Sequence, residues 1–511
     1  MNALIPLFVA IPLISAFLII LLGKLVKGFH KIFAPLTLLA LLGMALFAFS
    51  GLDKPSIYSL GGWSTEGGIP VGIYMVLDGF SVIMLCIINL IGFIALFYSL
   101  SYISKYTAES NYYALFCLIV AGMNGVVLSG DLFNLFVFLE VSVISSYALV
   151  AFGVGKTELE ASFKYQVLGG LASMLILLAI GLIYWQTKTL NIADVRNVLD
   201  TGYSKPYYIF IQVLLISGFG LKAAIIPFHA WLPDAHSSAP SPISAMLSGV
   251  LIKAVGIYVL IRLFFNMFVF SHEIAVVLTT LGVISMVIGS LLAIMQWDVK
   301  RLLAYSSISQ IGYVVMAFGM GMILLVKGDN PAAATLAIAG GVYHMINHSV
   351  FKGLLFLNAG ALEHRLDTRD LKKMGGLSSV MPVTSSTSFM ASMSISGIPP
   401  FNGFFSKLII IIAAINGKFY LLAILAVVVS IITLAYFLKF QRYAFFNKSP
   451  GKVLDKIREV PFPMSFSMVI LAILCLAMSL LAFPSVSDTV LQPAIQVLMQ
   501  SDLYTTTIIG Y

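Results

Sequence analysis

The chain has 511 residues, 60% of them apolar and only 10% charged, against roughly 25% charged residues in soluble domains. That composition excludes an ordinary soluble enzyme and points to a bilayer. The formal charge of +8 would suit a nucleic-acid binder. The excess sits in short loops beside apolar runs, however, where the cytoplasmic preference for Lys and Arg accounts for it, so no nucleic acid is expected.

Apolar runs of the roughly 20 residues needed to cross hydrocarbon recur from end to end. They are continuous rather than alternating, which selects helices over a closed barrel. In chain order they predict about fourteen transmembrane spans. The first, near 3–22, lacks a basic leading region and reads as a membrane helix, not a cleaved leader. Spans follow near 30–50, 75–101, 112–129, 132–153, 162–187, 207–231, 243–265, 273–296 and 301–325. The last four are expected near 332–361, 381–413, 418–440 and 463–484. The longest polar stretches, such as 363–376 and 447–459, are loop-sized, so residues 1–511 are expected to form a single polytopic, all-α integral membrane domain.

Basic residues concentrate after odd-numbered spans: Lys24, Lys27 and Lys31, then Arg365, Arg369, Lys372 and Lys373, then Arg442, Lys448, Lys452, Lys456 and Arg458. Those loops should face the cytoplasm of a cell (plasma) membrane, with both termini on the outer side. Cys86, Cys117 and Cys475 lie singly in apolar runs without CxxC spacing, and read as small core residues rather than disulfide, zinc or iron–sulfur ligands.

Four lysines, Lys222, Lys253, Lys352 and Lys407, fall well inside apolar stretches. A charge at the bilayer centre costs about 2.5–3.5 kcal/mol on insertion scales, so such groups face a wet cavity or a counter-charge. Snorkelling or a structural ion pair explains one such lysine as well as function does; it explains four together poorly. Glu140 is the carboxylate set deepest in an apolar span, and no basic residue stands four positions from it on its own helix. Its partner must come from another helix, and Lys222 is the expected one. Closing and opening that pair would switch the lysine between holding and releasing a proton.

Pro227 follows Lys222, and Pro399 and Pro400 precede Lys407. Proline removes a backbone donor and clashes with the preceding turn, freeing carbonyls that can bind water beside each lysine. Proline kinks that only shape packing are the plain alternative. The two interrupted helices lie five spans apart. Five is odd, so they insert with opposite polarity, as inverted-topology repeats do.

His344, His348 and Lys352 recur at every fourth residue and share one helical face, with Asn347 beside them. Imidazole titrates near neutral pH and suits a proton relay. No carboxylate or cysteine ligand accompanies the histidines, so no metal is expected, and haem is disfavoured because both rings lie on one face. In Pro227-Phe-His229-Ala-Trp-Leu-Pro-Asp234-Ala-His236 the expected part for His236 is to close a turn at the membrane interface rather than to funnel ions; His229 is left open. No phosphate-cradling glycine loop and no nucleophile elbow is present, which leaves an ATP-driven pump or a hydrolase without support.

The segments Leu139-Glu140, Gly220-Leu-Lys222-Ala-Ala-Ile-Ile-Pro-Phe-His-Ala-Trp-Leu-Pro-Asp-Ala-His, Leu251-Ile-Lys253, Asp298-Val-Lys-Arg-Leu-Leu-Ala-Tyr-Ser-Ser, His344-Met-Ile-Asn-His348-Ser-Val-Phe-Lys352 and Gly397-Ile-Pro-Pro-Phe-Asn-Gly-Phe-Phe-Ser-Lys407 carry a resemblance. Together they closely resemble the antiporter-like subunits shared by respiratory complex I, Mrp-type sodium/proton antiporters and membrane-bound hydrogenase complexes. The resemblance implies fourteen helices: three in 1–101, inverted five-helix repeats in 112–265 and 273–446, and a last one at 463–484. It implies that Glu140 and Lys222 form a switching pair, that Lys253 passes the proton to the centre, that His344, His348 and Lys352 bridge the halves, and that Lys407 exchanges with the far side. Lysine at the last site, where one complex I member carries glutamate, and the Pro-Pro-Phe-Asn-Gly wording look closer to the Mrp and hydrogenase members, which points to the Mrp D-type branch found in antiporters and hydrogenase-like complexes.

The leading expectation is a proton-translocating subunit, with sodium/proton antiport left open, working beside other membrane subunits and holding no cofactor of its own. Whether its parent complex is an oxidoreductase is left undecided. A membrane redox subunit binding quinone or haem is the alternative, and a purely structural anchor is the weakest reading.

Overall fold

The computed structural model describes residues 2–52, 54–62, 72–200, 205–269, 271–448 and 457–500, together with 504–506 and 508. Lys452 and Lys456 of the basic loops lie outside the described residues. The chain opens with α1 (Leu7–Leu22) and α2 (Phe29–Ser50), then a small antiparallel hairpin, β1 (Ser56–Ser59) against β2 (Tyr74–Leu77). Next come α3 (Gly79–Tyr102), α4 (Glu109–Leu128), α5 (Leu132–Val150), α6 (Lys156–Thr187) and the short α7 (Ile192–Asp200). A first broken stretch holds α8 (Lys205–Ala223), α9 (Trp231–Ser238), α10 (Ser241–Met246) and α11 (Val259–Asn266), followed by α12 (His272–Ile294), α13 (Val299–Lys327) and the long α14 (Pro331–Leu366). A second contains α15 (Pro382–Ser396) and α16 (Asn402–Asn416), and the chain continues through α17 (Tyr420–Gln441), α18 (Phe462–Ala477), α19 (Pro484–Val490) and α20 (Gln492–Met499).

Among the described residues, twelve helical segments are long and apolar enough to cross a membrane. This is a multi-pass helical membrane protein. The segment Ser241–Asn266 is wholly buried and α13 nearly so, while only about a third of α6 and of α17 is buried. Large apolar side chains such as Phe163, Met174 and Ile431 are exposed there, which is the surface lipid requires.

Asp78 starts α3 with its carboxylate accepting from the amides of Phe80 and Ser81, satisfying donors that a helix start leaves free. The same carboxylate takes a two-pronged grip from Arg262 at 2.7 and 2.8 Å. Close helix crossings depend on small residues: a Cβ on Gly312 of α13 would lie 2.3 Å from the Met286 amide of α12, and one on Gly282 of α12 would lie 2.4 Å from that of Met316. Cys86, Cys117 and Cys475 are free thiols, the last two buried.

Candidate functional site

Lys222 lies at the end of α8, which stops at Ala223; Ala224 takes a positive φ of 54° and the chain turns before α9 begins at Trp231. The α8 terminus leaves carbonyls without helical partners, and one of them, Leu221 O, accepts the Trp231 indole N–H at 2.9 Å. Glu140 of α5 comes within 3.5 Å of the Lys222 ammonium. Between them stands Ser173 of α6, whose hydroxyl accepts from Lys222 Nζ at 3.0 Å and donates to Glu140 Oε1 at 2.5 Å. The Glu140 side chain stays 25% accessible against 2% for Lys222, so the carboxylate is the outward member of the pair.

Lys253 sits where the buried segment after α10 is wound as π-helix, over Leu247–Leu251 and again over Lys253–Tyr258. The wider turn redirects backbone carbonyls, and Lys253 Nζ donates to those of Ser248 and Gly249 at 2.6 and 2.7 Å. Gly256 lets this π-helix press on the end of α8: a Cβ there would fall 2.8 Å from Ala223 Cβ. The backbones carrying Lys222 and Lys253 are thereby brought against each other.

His344, His348 and Lys352 lie fully buried along one face of α14. Lys352 Nζ donates to Leu303 O and Ser306 Oγ at 2.7 and 2.5 Å, and His344 Nδ1 meets Ser406 Oγ at 3.0 Å. Neither nitrogen of His348 has a protein partner. On α13, Ser306, Ser307, Gln310 and Tyr313 follow one face at helical spacing and look towards this series: Ser307 binds Ser248 at 2.7 Å, and Tyr313 lies 5.6 Å from His344 between ring centres. The sequence reading assigns no role to Ser173, Ser306, Ser307 or Gln310, though Ser306 and Ser307 close one of the segments that carry the resemblance. For the three on α13 the periodic polar stripe was the available signal; for Ser173 there was none.

The second break falls between Ser396, the end of α15, and Asn402, the start of α16, across Pro399 and Pro400. Lys407 Nζ reaches back to Ile395 O at 2.7 Å and to Ser430 Oγ at 3.3 Å, and lies 5.0 Å from the Tyr313 ring centre. Gly397 has φ of +77°, and a Cβ there would sit 3.1 Å from Lys407 Cδ, so glycine serves both the turn and the lysine's passage. A cavity of about 220 Å³ opens beside Lys407 between Ser396, Phe404, Ser430 and Ile431. Asn347 of α14 and Asn402 exchange hydrogen bonds, and Ser394 completes the network that holds α14 to this break.

His236 differs from its expected place. It is fully buried, against Trp231 and Phe356, with no protein partner on either ring nitrogen. Trp231, Leu232 and Ala235 are buried beside the ring in this segment, which is the helix α9 rather than a loop. Its outer end is tied down by Asp234, which pairs with Arg301 at 2.7 Å and Lys164 at 3.1 Å. Burial opposes the Asp234 charge, but the Arg301 and Lys164 hydrogen bonds outweigh it and hold the carboxyl below its ordinary range. His229 is half-buried at the break, with Nδ1 unpartnered. Among the described residues no group of three His, Cys, Asp or Glu side chains is placed to hold a metal ion.

Comparison with known proteins gives the same architecture a family. Residues 129–433 match the family described as NADH:quinone oxidoreductase/Mrp antiporter, TM, and residues 63–124 match that described as NADH-Ubiquinone oxidoreductase (complex I), chain 5 N-terminus. The chain belongs to the NADH:quinone oxidoreductase/Mrp antiporter family. The D-type subunit of the Na(+)/H(+) antiporter of Alkalihalophilus pseudofirmus is 35% identical over 88% of each chain. The N-type subunit of the NADH-quinone oxidoreductase of Desulforudis audaxviator is 33% identical over 89% of each. Among solved structures, a chain of the Mrp complex from Dietzia sp. DQ12-45-1b superposes with a TM-score of 0.87 at 26% identity, covering 100% of this chain and 99% of that one. A chain of an archaeal membrane-bound sulfane sulfur reductase matches with the same score at 28% identity, covering 99% of both.

Proposed function

We propose that this protein is a proton-translocating membrane subunit of a multisubunit complex, with sodium/proton antiport as the form its Mrp-type relatives favour. The observation that carries the reading is the row of four buried lysines, three of them held by neutral oxygens alone and the fourth, Lys222, by Ser173 and the partly accessible Glu140. A purely structural ion pair would satisfy the charge fully; these leave it to be exchanged. The proton path runs from Glu140 and Lys222 through Lys253 and the series of His344, His348 and Lys352 to Lys407, with the breaks at Pro227 and at Pro399 and Pro400 supplying free carbonyls.

The finer architecture belongs to the same proposal. Adding α14 and the pair α15–α16 to the twelve apolar segments gives 12 + 2 = 14 crossings, with inverted repeats over 112–265 and 273–446, flanked by 1–101 and 463–484. Support comes from the matched roles of Lys222 and Lys407, each beside the end of a broken helix. Fourteen crossings put both termini on the outer side when the basic loops face the cytoplasm. The accessible Glu140 carboxylate in an apolar span requires cover, which suits a neighbouring membrane subunit, and the D-type branch is supported by the match to the antiporter's D-type member over most of both chains. No cofactor is assigned to this chain.

The test is proton movement by the purified parent complex in sealed vesicles, followed with an internal pH dye. Glu140→Gln should assemble and stop coupled proton movement; unchanged movement in an assembled complex would end this reading.

A further inference from the structure

A cavity of about 420 Å³ opens where α10, the start of α13 and the end of α14 meet, with polar walls that include Tyr106, Glu158, Lys300, Glu363 and Arg369. At its inner wall Glu363 Oε2 accepts from Lys300 at 2.7 Å, Tyr102 at 3.2 Å and Ser241 at 3.3 Å. Lys300 is itself buried and also donates to Ala239 O at 3.0 Å.

This cluster lies on the same face of α14 as the lysine series. Four residues beyond Lys352 stands Phe356, four further stands Gly360, and Glu363 follows within the next turn. Lys352 and Glu363 are therefore about 16 Å apart along the axis at 1.5 Å per residue, and between them this face of α14 carries no titratable group of its own. His236 of α9 fills the interval. Its ring centre is 5.6 Å from that of Phe356, one turn beyond Lys352, and it is fully buried. At the other end of the interval Ser241, which touches Glu363, packs on the α14 backbone: a Cβ on Gly360 would lie 2.5 Å from Ser241 Cβ.

A ring wedged between Trp231 and Phe356 has no packing need for nitrogen. Leaving a buried polar group without a protein partner costs about 1–3 kcal/mol, and phenylalanine would avoid that cost. The imidazole is retained where a group able to take and give a proton bridges the gap in the α14 series.

We propose that the cavity at Lys300 and Glu363 is the mouth of a proton passage along α14, in which the imidazole of His236 connects Glu363 to Lys352. The inference rests on the lysine series being the proton path. Glu363 takes a proton from water in the cavity and releases it, by way of water at Ser241, to one ring nitrogen of His236. The other nitrogen gives its own proton to the neutral amine of Lys352, and the ring returns to its first tautomer before the next transfer.

The experiment uses the intact complex in sealed vesicles and compares His236→Phe, His236→Asn and Glu140→Gln. Both His236 variants should assemble, since neither enlarges the site greatly, and should lower proton movement about a hundredfold, the low end of what a positioned proton carrier supplies. In a further variant, His236→Gly, which vacates the volume of the ring, imidazole added on the cavity side should restore much of the rate. Wild-type rates in both His236 variants, with loss in Glu140→Gln, overturn the passage and leave the lysine path standing; wild-type rates in all three overturn both. Loss that imidazole does not rescue in assembled complex makes His236 a packing residue and overturns the passage.

Discussion

Glu140 and Lys222 stand 3.5 Å apart on α5 and α8, and one hydroxyl, that of Ser173 on α6, binds both. The pair is thus a three-part contact in which the serine accepts from the ammonium while it donates to the carboxylate. Movement of α6 changes two hydrogen bonds at once, and movement of α5 or α8 changes one of them together with the ion-pair distance, which makes the lysine's hold on its proton sensitive to helix position.

Removing that hydroxyl should weaken the coupling without unfolding the protein. A hydrogen bond to a charged group is worth about 1.5–3 kcal/mol, so Ser173→Ala should shift the open–closed balance by about tenfold or more. Ser173→Thr keeps the hydroxyl and should stay near wild type. Vesicle proton movement at equal amounts of assembled complex measures both.

The clamp between Asp78 and Arg262 is a stability device outside the proton series. Both side chains are buried, at 0% and 3% accessibility, and Tyr258 and Asn266 complete the arginine's contacts. Arg262→Met leaves a buried carboxylate unpaired and should cost about 3–5 kcal/mol. Adding Asp78→Asn, which keeps the oxygen that starts α3, should recover a large part. Thermal aggregation of the detergent-solubilised complex reads the difference.

Packing of α12 on α13 should be intolerant of added volume. Gly312→Val places carbon atoms where the Met286 backbone already stands, and overpacking of this kind costs about 1–3 kcal/mol. The melting temperature of the solubilised complex should fall, while Gly43→Ala, with nothing within 4 Å of a Cβ, should leave it unchanged.

Much of this was readable in the residues. The pairing of Glu140 with Lys222 followed from a charge in an apolar run that needed a partner, and the stripe of His344, His348 and Lys352 followed from helical spacing. Apolar runs in the sequence predict about fourteen spans, whereas twelve helical segments among the described residues are long and apolar enough to cross; α14 carries that polar stripe, and α15 and α16 have 15 residues each. Ser173 was hidden because a serine in a membrane helix looks alike whether it bonds its own carbonyl or another chain segment. The π-helical winding at Lys253 was equally hidden, since one extra residue per turn leaves no composition signal. The burial of His236 was hidden because Pro-Asp-Ala-His-Ser-Ser reads as polar loop, whereas the segment forms the helix α9 packed in the interior, a tertiary matter.

The central claim is that protons cross along the buried lysines, and Lys253 offers the most direct measurement because carbonyls alone receive its hydrogen bonds and no counter-charge would be stranded by its loss. Proton movement by the intact complex in sealed vesicles should disappear in Lys253→Met while assembly and thermal stability hold. Wild-type proton movement in that variant would contradict the account.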